Sequence, residues 1–244
     1  AKLLYNRMLF SRNSCTDMTD PRHRKIRSFV LRKGRLTVAQ QHALDELWPY
    51  YGIENRETLL DFDDYFDRPA DVIVEIGFGN GESTWQMAQQ EPEKNFIGIE
   101  VHEPGVGHLL MALEEHDIEN VRIACEDAVP FFEPRIPSES LAGVRIYFAD
   151  PWPKKRHHKR RIIQPEFVDD LARCMKTGGI LHLATDWQPY ADHVLEVMDA
   201  RADFINLSDT GDYCERPEWR PYTKYEARGE RLGHEVRDLL FQRS

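Results

Sequence analysis

Residues 72–81 read Val-Ile-Val-Glu-Ile-Gly-Phe-Gly-Asn-Gly: a short β-branched apolar run that breaks into three glycines spaced two apart. A buried parallel strand followed by such a turn is the point where open α/β sheets let a backbone approach a nucleotide-like ligand. The spacing departs from the dinucleotide fingerprint, because Glu82 stands where a third glycine or alanine belongs. A carboxylate at that helix start repels a pyrophosphate. A ligand carrying positive charge, such as the sulfonium of S-adenosylmethionine, is compatible with it.

Downstream the pattern repeats. Candidate strands at 72–76, 96–100, 121–125, 144–149 and 179–185 alternate with amphipathic segments near 82–91, 104–116, 164–176 and 187–201. This alternation predicts a mostly parallel sheet with helices on both faces, and segments near 203–208 and 235–241 finish it as an antiparallel edge. Upstream, Thr37 and Gln40 make a capping-box pattern that opens a short helix over 37–51. Residues 61–71 are acidic and end in a proline-marked loop. The division expected is a flexible basic arm over 1–35 and one domain over 36–244, with 41% hydrophobic residues to build its core.

Three acids fall at strand ends: Glu75 in the first, Glu100 closing the second and Asp127 after the third. Parallel neighbours bring such acids to one edge of the sheet. Glu100, about twenty residues after the glycine turn, can accept from both ribose hydroxyls. Asp127 is placed for an adenine amino group, and Glu75 for the amino-acid part of a cofactor. Asp150 and Asp186 follow the fourth and fifth strands at the same edge.

The net charge of −10 argues against a polyanionic partner, but the charge is unevenly spread. Residues 154–161, Lys-Lys-Arg-His-His-Lys-Arg-Arg, carry six formal positive charges and no acid, and residues 1–35 hold ten Lys/Arg against Asp17 and Asp20. Such a strip neutralises phosphates without reading sequence. It starts from Asp150-Pro151-Trp152-Pro153, whose prolines hold the chain rigid. His157 and His158 sit among cations that oppose a metal ion, and no metal is expected. The loop at Thr223-Lys224-Tyr225-Glu226 combines donor, cation and acceptor, and Trp187, Tyr222 and Tyr225 offer faces for a base. Cysteines 15, 125, 174 and 214 form no CxxC pair, and no apolar run approaches the ~20 residues that span a bilayer. Reduced thiols, a cytoplasmic setting and no obligatory protein partner are expected.

Together, Glu75-Ile-Gly-Phe-Gly-Asn-Gly81, Phe96-Ile-Gly-Ile-Glu100, the block from Asp150 to Arg161, Ala184-Thr-Asp186 and Thr223-Lys-Tyr-Glu226 resemble the bacterial-type tRNA (guanine-N7)-methyltransferases. Arg32-Lys-Gly-Arg-Leu-Thr37 and Gln40-Gln-His-Ala43 add to the likeness, which spans about residue 27 to the C-terminus. The resemblance implies a Rossmann-like class I methyltransferase fold and methyl transfer from S-adenosylmethionine to a guanosine in the variable loop of tRNA. It implies cofactor binding by Glu75, Gly77, Gly79, Gly81, Glu100, Asp127 and Asp150, with Asp150 catalytic. It implies substrate contacts at Lys154, Asp186, Thr223, Lys224, Tyr225 and Glu226, with Arg156, His157, His158, Lys159, Arg160 and Arg161 on RNA. Ala149 departs from the proline common there. The rivals are methylation of an exocyclic amine, RNA binding without catalysis, and an NAD-dependent oxidoreductase.

Overall fold

Seven strands form one sheet in the order β3-β2-β1-β4-β5-β7-β6. The computed structural model describes residues 27–30, 34–54 and 58–244, apart from the side chains of Pro134, Lys224, Tyr225 and Arg228. The strands are β1 (Val72–Ile76), β2 (Asn95–Ile99), β3 (Val121–Ala124), β4 (Leu141–Tyr147), β5 (Met175–Thr185), β6 (Phe204–Asn206) and β7 (Arg237–Arg243). The first five are parallel, and β7 runs antiparallel between β5 and β6.

Period-2 alternation divides the core by face. Val72, Val74 and Ile76 of β1 join Ile97, Val144, Leu181 and Leu239 under α4 (Ala128–Arg135), α5 (Pro165–Cys174) and α6 (Gln188–Asp199). Ile73, Phe96 and Ile123 face the other way, onto α2 (Glu82–Gln90) and α3 (Glu103–Glu115). The expected lead-in helix is α1 (Val38–Tyr51), and both hydrogen bonds of its capping box form. It packs on α3, where the Gln40 amide donates to the Pro104 carbonyl at 3.0 Å.

Two helices were not expected. α4 holds Pro130 and Pro134, which read as breakers in the sequence. Pro130 lies in the first turn, however, where no intrahelical N–H is needed. α7 (Lys224–Arg231) replaces the expected loop, with Thr223 as its N-cap. Ser/Thr-x-x-Glu is itself a capping signature, so Thr223-x-x-Glu226 carried that signal. The expected arm over 1–35 falls mostly outside the described residues, since 1–26 and 31–33 are not among them.

Candidate active site

From β1 the chain steps outward to β2 and β3, then returns to place β4 on the other side of β1. That reversal opens a crevice at the carboxyl ends of β1 and β4, the usual ligand position in such sheets. The glycine turn ends β1, and Asp150 follows β4, so the two flank the crevice. Glu100 and Asp127 lie beyond the glycine turn, and Asp186 lies beyond Asp150. All five follow parallel strands and therefore share one rim.

On the glycine side, Gly77 and Gly79 have φ of 74° and 62°, and a Cβ built at either meets nothing within 4 Å. The space over this turn is open for a ligand. Its underside is closed: a Cβ on Gly105 of α3 would stand 1.9 Å from the Gly79 carbonyl oxygen. Gly105 thus lets α3 support the turn, a role its place inside a helix did not announce. Glu100 accepts from the backbone N–H groups of Gly79, Val101 and His102 at 2.9, 2.7 and 3.0 Å. Its carboxylate fastens the turn after β1 to the turn after β2. Asp127 caps α4, accepting from the Val129 N–H at 3.2 Å.

Glu75 is different. It is 2% exposed, and its two oxygens accept from the Ser83 and Thr84 hydroxyls at 2.5 and 2.6 Å. Burial pushes its carboxyl above the ordinary range, against the opposing pull of those hydroxyls and of Arg145. Glu75 therefore ties β1 to the first turn of α2 beneath the glycines.

Across the crevice, Asp150 is exposed between two left-handed non-glycine residues, Phe148 (φ 52°) and Trp152 (φ 46°). Each such residue costs on the order of 1–3 kcal/mol, so surrounding contacts must hold the loop. Trp152 supplies them. Its indole is buried and donates to the Ser28 carbonyl at 2.9 Å, with the Arg160 guanidinium 3.8 Å over the ring. Arg160 also donates to the Arg27 and Phe29 carbonyls at 2.9 and 2.7 Å. Residues 27–29, expected in a flexible arm, are thus stitched to the Asp150 loop.

The basic block divides accordingly. Lys155–Arg160 is a 3-10 turn that leaves Lys154, Lys155, Arg156 and Lys159 exposed. Arg161 does not join that strip: it is 3% exposed and donates to the Pro151 carbonyl at 3.0 Å. Burial and then the neighbouring cations Arg156, Arg160 and Lys154 hold the His157 imidazole below its ordinary value. Its Nε2 accepts from Arg156 at 3.3 Å. Among the described residues, no three His, Cys, Asp or Glu side chains form a metal-binding group.

The far side of the rim is completed by the reversed strand. Because β7 is antiparallel, the segment before it returns to the carboxyl edge, where His234 meets Asp186 at 2.7 Å. Thr223 caps α7 by accepting from the Glu226 N–H at 3.3 Å. Glu226 does not face solvent; it is 3% exposed and forked to Arg220 at 2.7 and 2.8 Å. Of the acids expected near the acceptor base, Asp186 and Asp150 open to the surface and Glu226 does not. The side chains of Lys224 and Tyr225 lie outside the described set.

The family model described as "Putative methyltransferase" matches residues 69–239, from the start of β1 into β7. The tRNA (guanine-N(7)-)-methyltransferase of Alcanivorax borkumensis is 55% identical over 220 residues, covering 90% of this chain and 92% of that one. The chain belongs to the tRNA (guanine-N(7)-)-methyltransferase family. Other members include those of Aeromonas hydrophila, 54% identical, and Klebsiella pneumoniae, 53%, each over 90% of this chain and 93% and 92% of theirs. Among solved structures, 16S rRNA methyltransferase KamB superposes with a TM-score of 0.56 at 16% identity, covering 80% of this chain and 99% of that one. The antibiotic-resistance methyltransferase Kmr gives 0.52 at 12%, covering 78% and 94%. These likenesses show the Rossmann-like class I methyltransferase fold.

Proposed function

We propose that this enzyme transfers a methyl group from S-adenosylmethionine to N7 of a guanosine in the variable loop of tRNA. The observation that carries this reading is Asp150: an exposed acid on a braced loop, at the strand end next to an open glycine turn and followed at once by a cationic surface strip. Family membership supplies the substrate and the reacting atom.

The residues present fit the methyl donor, whose sulfonium supplies the transferable methyl group. The open space over Gly77 and Gly79 admits the ligand, and Gly81 starts α2 beside it. Glu100 and Asp127 stand along the rim where ribose hydroxyls and an adenine amino group need acceptors. Glu75 acts from below by holding α2 against β1. Guanine N7 carries a lone pair and no proton, so the site needs no strong general base. Positive charge arrives on the purine instead, and Asp150 and Asp186 are placed to stabilise it. Alignment of donor and acceptor supplies much of the rate.

Lys154, Lys155, Arg156 and Lys159 receive backbone phosphates, and Trp187, exposed beside Asp186, offers a stacking face. Thr223, Lys224 and Tyr225 meet the substrate from the first turn of α7. The segment at 27–29, held by Trp152 and Arg160, borders this surface. Among the described residues no helix is long and apolar enough to cross a membrane. We place the enzyme in the cytoplasm, where tRNA is found.

Incubation with labelled S-adenosylmethionine and unmodified tRNA, followed by nuclease digestion and mass spectrometry, tests the reading. It expects 7-methylguanosine from the variable loop. A methyl group on an exocyclic amine, or none transferred, overturns it.

A further inference from the structure

Arg220 is a cation buried in the substrate half of the rim, 3% exposed, with each of its three nitrogens bonded to an acid. Nη1 and Nη2 fork to Glu226, while Nε and Nη2 reach Asp238 at 2.7 and 2.9 Å. Its guanidinium also lies 6.0 Å from the ring centroids of both Tyr147, the last residue of β4, and Phe148, which leads to Asp150. Asp238 in turn takes a hydrogen bond at 2.7 Å from His182 of β5. The tautomer follows from Trp219, whose indole N–H can only donate and reaches His182 Nδ1 at 3.2 Å. The ring proton is therefore on Nε2, directed at Asp238. A cavity of about 560 Å3 opens over this cluster, lined by Arg220, Tyr222, Glu226, Glu230, His234 and Asp238.

These contacts join three elements that the reaction needs in fixed relation. Glu226 belongs to the first turn of α7, Asp238 to β7, and the two aromatic rings to the chain that delivers Asp150. We propose that Arg220 is a positioning residue for methyl transfer, setting where the first turn of α7 holds the tRNA relative to Asp150. The inference rests on the reading above that this turn meets the substrate. Lysine cannot replace the fork, because a single ammonium lacks the paired planar donors that grip two carboxylates at once.

Arg220→Lys keeps the charge and removes the fork. Its kcat/KM for tRNA should fall at least tenfold, while S-adenosylhomocysteine, measured by calorimetry, binds within twofold of the wild type. Glu75 on β1, and Glu100 and Asp127 after β2 and β3, lie on the other side of β4 from this cluster. Unchanged kcat/KM overturns the proposal. So does a loss that merely matches the lost fraction of protein able to bind S-adenosylhomocysteine, which a structural role alone would give. Glu226→Gln, isosteric and milder, should weaken turnover of tRNA in the same direction, and normal turnover counts against the proposal. Thr223→Asp tests the underlying reading separately. It keeps an N-cap and adds a negative charge at the surface, so the KM for tRNA should rise. If it does not, the placement of the substrate on α7 fails. If it does and Arg220→Lys is normal, only the role of Arg220 fails.

Discussion

Asp150 illustrates how a single side chain is prepared by its neighbours. Left-handed backbone at Phe148 and Trp152 would relax without the buried indole and the stacked Arg160. Asp150→Ala touches none of these braces, so methyl transfer should be lost while tRNA binding in a filter assay stays near normal. Gly79→Ala has a different signature. An L-residue at φ 62° costs about 1–2 kcal/mol, and the added Cβ enters the open space above the turn. Calorimetry should show a larger loss of S-adenosylhomocysteine affinity than of folding free energy. Glu75 makes a third case. Its folded pKa is raised by burial, so the native state holds its proton over a range where the unfolded chain has released it. Stability is therefore lost as pH rises through that range. Glu75→Gln removes the buried charge and keeps polar partners for Ser83 and Thr84. Its urea midpoint at pH 7 should equal or exceed that of the wild type; a clear fall would refute this account.

At the level of elements, the 3-10 turn sorts cations that look alike in the sequence. Lys154, Lys155 and Lys159 point to solvent, whereas Arg160 and Arg161 are spent on the fold. Replacing the three lysines by alanine should weaken tRNA binding and reduce the slope of log K against log salt by roughly 0.7–0.9 per lost phosphate contact. Arg161→Ala should lower the thermal midpoint instead. Composition alone could not make this division, because it depends on Trp152 and Arg160 closing over residues 27–29. The elements that were legible had regular apolar spacing: β1 begins and ends where its hydrophobic run does, and α1 starts at its capping box. α7 was not, because its sequence Lys-Tyr-Glu-Ala-Arg-Gly-Glu-Arg has no apolar stripe and it is anchored by an ion pair. Arg220 and Asp238 are far apart in the chain, and nothing local signals that they meet.

For the whole molecule, the rim of acids was readable because parallel order alone sends Glu100, Asp127 and Asp150 to one edge. The buried charge cluster behind it was not, since it needs the register of β7 against β5. That cluster gives the molecule a pH dependence. Burial outweighs the Asp238 bond and holds His182 below its ordinary value, with Arg220 and Arg145 adding repulsion. As pH falls through the histidine range near ~6.5, the unfolded chain takes up a proton that the native ring resists. Stability is lost on that descent. His182→Gln lacks the proton, so its urea-derived stability should vary less than the wild type's between pH 7 and 5; parallel curves would contradict the assignment.

The reversed strand also orders the birth of the site. β6 precedes β7 in the chain, yet it touches the sheet only through β7, which must slide between it and β5. A nascent polypeptide can thus pair β1 through β5 and shape the glycine-lined half while His234 and α7 still hang loose. Deleting Arg237–Arg243 would therefore take Leu239 and Phe241 from the core and unseat the acceptor side at one stroke.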